Sequence, residues 1–214
     1  MSWGSPAAAP TAANDGPKSV FYLGILRVEA GKPATELVSD MDLSSFAWLT
    51  RNSYQSFLEF TSKTVAERTK VGSRNTVAET RAQVNAYHTS QGACIVMITE
   101  PTYKRMDAQA FLSKVADAFQ SNFTPTEIKT KQPPFSWPEI AKLRQQAVTA
   151  EKDGIGAVQQ ELDETKVILH KTIESVLERG EKLDTLVAKS DELGAMSKGF
   201  YKQAKQQNAC CVVM

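Results

Sequence analysis

The chain has 214 residues, 42% of them hydrophobic, which leaves room for one compact domain plus further segments or for two small domains. A formal net charge of +1, with no basic run interleaved with aromatics, gives no reason to expect nucleic-acid binding. No stretch approaches the roughly 18 consecutive apolar residues of a spanning helix.

Residues Met1 to Pro17 are rich in Ala and Pro, lack a charged start and an apolar core, and read as a disordered extension with no secretory signal. A cytosolic chain is expected. Ser19 to Val28 is dense in β-branched and aromatic residues and reads as a strand, with Gly31-Lys32-Pro33 turning it into a second strand from Thr35 to Ser39. Asp42 and Ser44 offer N-caps for a long helix from about Ser45 to Lys70, closed by Gly72. That helix carries two apolar stripes, Phe46, Leu49, Phe57 and Phe60 on one and Tyr54, Leu58 and Val65 on the other, although one suffices to cover a sheet.

Asn75 to Ala78, Ala82 to Thr89 and Ala93 to Thr99 read as three more strands, and Met106 to Phe119 as a second helix. The order strand, strand, helix, three strands, helix predicts an α+β domain with a five-stranded antiparallel sheet flanked by helices. Thr124 to Pro138 holds four prolines and reads as an irregular hinge before helix resumes at Glu139. The expected boundaries are 1–17 for the extension, 18–140 for the domain, 141–153 for a linker, 154–207 for a coil segment and 208–214 for a tail.

In the coil segment, alternating steps of three and four residues pass through Ile155, Val158, Leu162, Leu169, Val176, Arg179, Leu183, Leu186, Leu193 and Phe200, with charged residues between them. This is a heptad seam, weakened by Thr165, Thr172, Ser190 and Ser197 and by Gly180, Gly194 and Gly199 inside the helix. Such a helix is marginal alone and orders when partner helices bury its seam. On the heptad alone, Arg179 either snorkels to solvent or enters a buried layer where acceptors from other helices satisfy its five donors.

The run from Gln160 to Leu186, centred on Val176-Leu-Glu-Arg-Gly-Glu-Lys-Leu183, closely resembles the SNARE motif of the synaptobrevin-like R-SNAREs. The resemblance implies that Arg179 sits in an ionic central layer of a four-helix bundle and meets glutamines from three Q-SNARE helices. Val176 and Leu183 would then form the flanking apolar layers.

The chain closes on Cys211-Val-Val-Met214, a C-a-a-X pattern whose terminal Met favours farnesyl. One lipid chain gives only reversible attachment, so a second is expected on Cys210 as palmitoyl or a second prenyl. A cysteine pair of this kind behind an R-SNARE motif is similar to the YKT-type synaptobrevin homologues, R-SNAREs with a prenylated tail and an amino-terminal longin (profilin-like) domain. The Ala/Pro extension departs from their pattern, in which the first strand starts near the initiator Met.

The resemblance implies membrane fusion with Q-SNARE partners, a SNARE-disassembly machine and a prenyltransferase acting on the chain. It also implies a cytosolic pool beside a lipid-anchored pool on the cytoplasmic face of Golgi, endosomal, vacuolar and ER-derived membranes. No catalytic, metal or cofactor constellation is read: His88 and His170 have no metal-ligand spacing with the cysteines, and Cys94 reads as a small core residue. A second function class stays open, a prenylated longin adaptor that regulates trafficking GTPases. The spare stripe of the long helix either packs beneath the second helix or lines a groove of Phe46, Tyr54, Phe57 and Phe60 that holds the coil segment or the farnesyl in a closed, autoinhibited state.

Overall fold

A computed structural model of the protein describes residues 19–46, 48–149 and 167–190, together with Leu193 and Lys198. The extension 1–17, the seam positions Ile155, Val158, Leu162 and Phe200, and the lipidation candidates Cys210 and Cys211 lie outside the described residues.

The apolar run near the start forms β1 (Val20–Arg27), which pairs antiparallel with β2 (Thr35–Met41) on one side and with β5 (Ala93–Thr99) on the other. β4 (Gln83–His88) pairs with β5, and β3 (Arg74–Ala78) pairs with β4, all antiparallel. Side-chain alternation assigns the two faces. Ile95 and Met97 of β5 join one apolar core, while Cys94, Val96 and Ile98 join the other. Burial pushes the Cys94 thiol well above its ordinary range, as suits a core residue.

On the first face lie α2 (Arg105–Asn122) and α4 (Glu139–Thr149), which bury Phe111, Leu112, Val115, Phe119, Ile140 and Leu143 against Leu23 and Ile25 of β1. Arg144 of α4 locks this layer to the sheet: its guanidinium donates to the Asp40 carboxylate at 2.5 Å and to the Val20 carbonyl at 3.3 Å. On the second face lies α1 (Arg51–Glu67), with Leu58, Phe60 and Val65 inward. Beneath it, Tyr22 reaches over Gly24, where any Cβ would run into its ring, and donates to the Glu36 carboxylate at 2.7 Å.

Four expectations are corrected. The helix expected from Ser45 begins at Arg51, because Asp42 Oδ1 accepts the Ser44 amide at 2.9 Å in a local turn and the chain then passes through a 3-10 turn at Trp48–Thr50. The expected hinge contains α3 (Pro125–Thr130), started by a capping box in which Thr124 and Glu127 bond reciprocally. Ile128, Phe135 and Trp137 of that stretch are buried, so it belongs to the core. The expected linker 141–153 is helix as far as Thr149, with Leu143 and Ala147 buried, so the domain runs past residue 140.

The largest correction concerns the sheet and the coil together. A sixth strand, β6 (Val167–His170), comes from the coil segment and pairs parallel with β3, giving the order β2-β1-β5-β4-β3-β6. The sheet is therefore mixed and six-stranded. The described part of the coil segment is not one helix but β6, a 3-10 turn at Ile173–Val176 and the short helix α5 (Leu183–Lys189).

Candidate functional site

The site is the contact between the coil segment and the α1 face of the sheet. β6 lies in register with β3, Arg74 opposite Val167 and Val77 opposite His170. Beyond it, the Ile173 amide donates to the Glu79 carboxylate at 2.7 Å, just past the end of β3. Burial raises the pKa of Glu79, the Ile173 N–H offsets part of that rise, and the negative charge of Glu174 adds to it. Ile173, Val176, Leu183, Val187 and Leu193 are all buried in one apolar cluster with Leu58, Phe60 and Val65 of α1 and Val77 and Val84 of the sheet.

Between the 3-10 turn and α5 the chain makes a tight turn, in which the Glu181 amide donates to the Glu178 carbonyl at 3.0 Å and Gly180 adopts φ +97°. The Glu181 carboxylate accepts the Glu178 amide at 2.9 Å and takes two bonds from Arg68, Nε at 3.0 Å and Nη2 at 2.8 Å. This fork-to-fork pairing fixes the turn against the end of α1. Arg68, and then the Glu178 amide, hold the Glu181 carboxyl below the ordinary glutamate value.

The residues expected to line a longin groove divide into two groups. Phe60 is 7% exposed and belongs to the apolar cluster that also holds the docked segment, and half-buried Phe57 packs against that cluster. Phe46 and Tyr54 instead stack on each other, ring centroids 3.9 Å apart, with Phe21 edge-on to Phe46. Among the described seam positions, Val176, Leu183 and Leu193 are buried, Leu186 is half-buried and packed on the same cluster, and Leu169 is 52% exposed. Arg179 is exposed on the turn.

Heptad reasoning missed Ile173 and Val187, which lie off the seam yet are buried here, and it missed Arg68, Glu79 and Glu181. The two apolar residues were visible as hydrophobic positions in excess of the seam. Nothing in the sequence pairs Arg68 with a residue 113 positions away.

A family model described as a regulated-SNARE-like (longin) domain matches residues 43–142, and a synaptobrevin model matches residues 154–212. Synaptobrevin homolog YKT6 of Debaryomyces hansenii is 40% identical over 199 residues, covering 91% of this chain and 99% of its own. The chain belongs to the YKT6 family of synaptobrevin homologues. Another YKT6 homologue, from Saccharomyces cerevisiae, is 40% identical over 208 residues with the same coverage. The VAMP-like protein YKT61 of Arabidopsis thaliana is 40% identical over 188 residues, covering 87% of this chain and 94% of its own. In this YKT6-family chain the longin match runs from before α1 to the first turn of α4, and the synaptobrevin match contains all of β6, the turn and α5. The docked contact thus joins one family segment to the other. Among the described residues no helix is long and apolar enough to cross a membrane.

Proposed function

We propose that this chain is an R-SNARE whose longin domain holds its own SNARE segment in a closed form that competes with assembly on partner helices. The carrying observation is that Val176, Leu183 and Leu193, which a four-helix bundle would bury, are already buried against α1 and the sheet. One set of side chains cannot occupy both places. Assembly therefore requires that β6 leave β3, the turn straighten and α5 extend, after which three Q-SNARE helices bury the seam with Arg179 in its central layer.

The exposed position of Arg179 accords with this reading, because a guanidinium kept in water until its acceptors arrive avoids burial without partners. Disassembly machinery would return the segment to the longin domain. A prenyltransferase would modify Cys211, a second lipid on Cys210 would make attachment persistent, and the closed form would supply a cytosolic pool.

The test is Phe60→Glu, which sets a charge in the cluster shared by α1 and the docked segment. Residues 167–190 should become protease-sensitive, and a denaturation-resistant complex with three Q-SNARE helices should form faster than with the parent chain. A domain that stays folded while the segment keeps its protection and its assembly rate would refute the closed form. The adaptor reading predicts no such complex with either protein.

A further inference from the structure

From the geometry of the turn at Glu178–Lys182 we infer that Gly180 and Glu181, with Arg68, form a latch specific to the closed form, built from residues that take no part in the partner-facing seam. The inference rests on the closed-form reading above.

Gly180 supplies the first half. Its φ of +97° lies in the left-handed region that side-chain-bearing residues avoid, and among the described residues no atom beyond its own chain neighbours lies within 4 Å of where a Cβ would stand. Backbone conformation, and not space, therefore selects glycine here. In a continuous SNARE helix the same glycine is a liability, being among the poorest helix formers. The residue thus favours the bent closed form over the straight bundle form on both counts. An alanine would disfavour one and favour the other.

Glu181 supplies the second half. In the turn its single carboxylate accepts the Glu178 amide and both Arg68 donors, so one side chain closes the turn and ties it to the longin domain. At about 100° per residue in a straight helix, Glu181 lies about 180° from the stripe between Arg179 and Leu183. It would face solvent on the back of the bundle. Arg68 belongs to the longin domain and is no part of the coil. Arg68 also donates to the Thr64 carbonyl at 3.0 Å and to the Glu67 carboxylate at 3.2 Å within the longin domain, but its pairing with Glu181 exists in the closed form alone, and the closed-to-open balance can change there without any change at the seam.

The experiment measures amide hydrogen exchange of β6 and α5 in the full chain, alongside the far-ultraviolet helical signal and the thermal midpoint of the longin domain. Gly180→Ala should reduce protection about 30-fold or more, since the two backbone effects add. Gly180→Asn, which tolerates the left-handed region better, should fall between parent and alanine. Glu181→Gln should reduce protection about threefold, as expected of a partly exposed pair. The charge swap Arg68→Glu with Glu181→Arg should restore part of it, because an arginine at 181 re-forms the ion pair but cannot accept the Glu178 amide. The longin midpoint should fall only in step with the lost docking, since a docked segment stabilises the domain it binds, and the Glu181 and Arg68 variants should match the parent in the stability of a preassembled Q-SNARE complex, whereas Gly180→Ala, and to a lesser degree Gly180→Asn, strengthens it.

If Gly180→Ala leaves protection unchanged while Phe60→Glu removes it, the latch is refuted and the closed form stands. If neither variant alters protection, the closed form falls and the latch falls with it.

Discussion

Truncating Ile173 to alanine tests the docked contact at a position where burial and bundle chemistry separate. Ile173 is 7% exposed in the cluster with Phe60 and Val77, and its side chain lies off the heptad seam. Removing about three carbons from such a site costs about 2 kcal/mol at the lower end for core truncations, because a docked surface segment relaxes more easily than a closed core. The Ile173 N–H to Glu79 survives, since it belongs to the backbone. The open population should rise about 30-fold, read as a matching loss of exchange protection in β6. Ile168→Ala is the comparison: Ile168 belongs to the same segment but is 39% exposed, and its truncation should change protection about twofold or less. Both substitutions raise intrinsic helix propensity equally, so the difference between them isolates burial. Equal effects in the two variants would refute the assignment of Ile173 to the interface.

Three further outcomes are expected. Arg179→Ala should impair complex formation and fusion while leaving β6 protection unchanged, because Arg179 is exposed in the docked form; altered protection with normal fusion would reverse that assignment. The lowered pKa of Glu181 means that its contribution is present above about pH 4.5 and is lost as pH falls through the lowered value, so β6 protection should decline on acidification from about pH 4.5 downward. The raised pKa of Glu79 acts in the opposite sense, favouring the docked form as it takes up a proton, and the titration is therefore read in Glu79→Gln; a flat profile there would count against the Arg68 pair. Arg144→Met should lower longin stability by about 2 kcal/mol and its thermal midpoint by several degrees, because it strands the Asp40 carboxylate and the Val20 carbonyl; an unchanged midpoint would show that α4 docks by apolar packing alone.

The longin half was legible because its strands announce themselves. Ala93 to Thr99 was read with the bounds it adopts, and the other four strands within about two residues, from β-branched runs punctuated by Gly and Pro. α3 was hidden by the four prolines of the stretch it begins, although Thr124-Pro-Thr-Glu127 carries the capping signature that starts it. The coil half was legible only for one of its uses. Val167-Ile-Leu-His170 satisfies a heptad step at Leu169, yet it is also a short apolar run of strand type, and periodicity alone does not separate the two over four residues. What decides between them is the bare edge of β3, a tertiary fact absent from any local window. Gly180 was visible as a weakness in the helix, but its reason appears only with the positive φ of the turn. Of the aromatic residues suspected on α1 and before it, Phe57 and Phe60 join the apolar cluster of the docked segment while Phe46 and Tyr54 meet each other, a distinction that spacing along a helix does not carry.

The parallel pairing of β6 on β3 has a consequence for how long an opened molecule survives. With β6 gone, β3 becomes the rim of a five-stranded sheet, and its backbone groups on that side have no strand beside them. The rim does not fray to protect itself, because Arg74 is pinned to the Gln109 carbonyl and Ser113, and Gln109 in turn holds the Asn75 carbonyl and the Thr76 hydroxyl. A rigid, uncapped strand is a template for any extended chain that collides with it, including the freed segment of a neighbouring copy. Loss of opened molecules to such collisions grows with the square of their concentration. A crowded solution of opened chains would consume itself, whereas opened chains kept dilute would hold their rims apart until partner helices arrive.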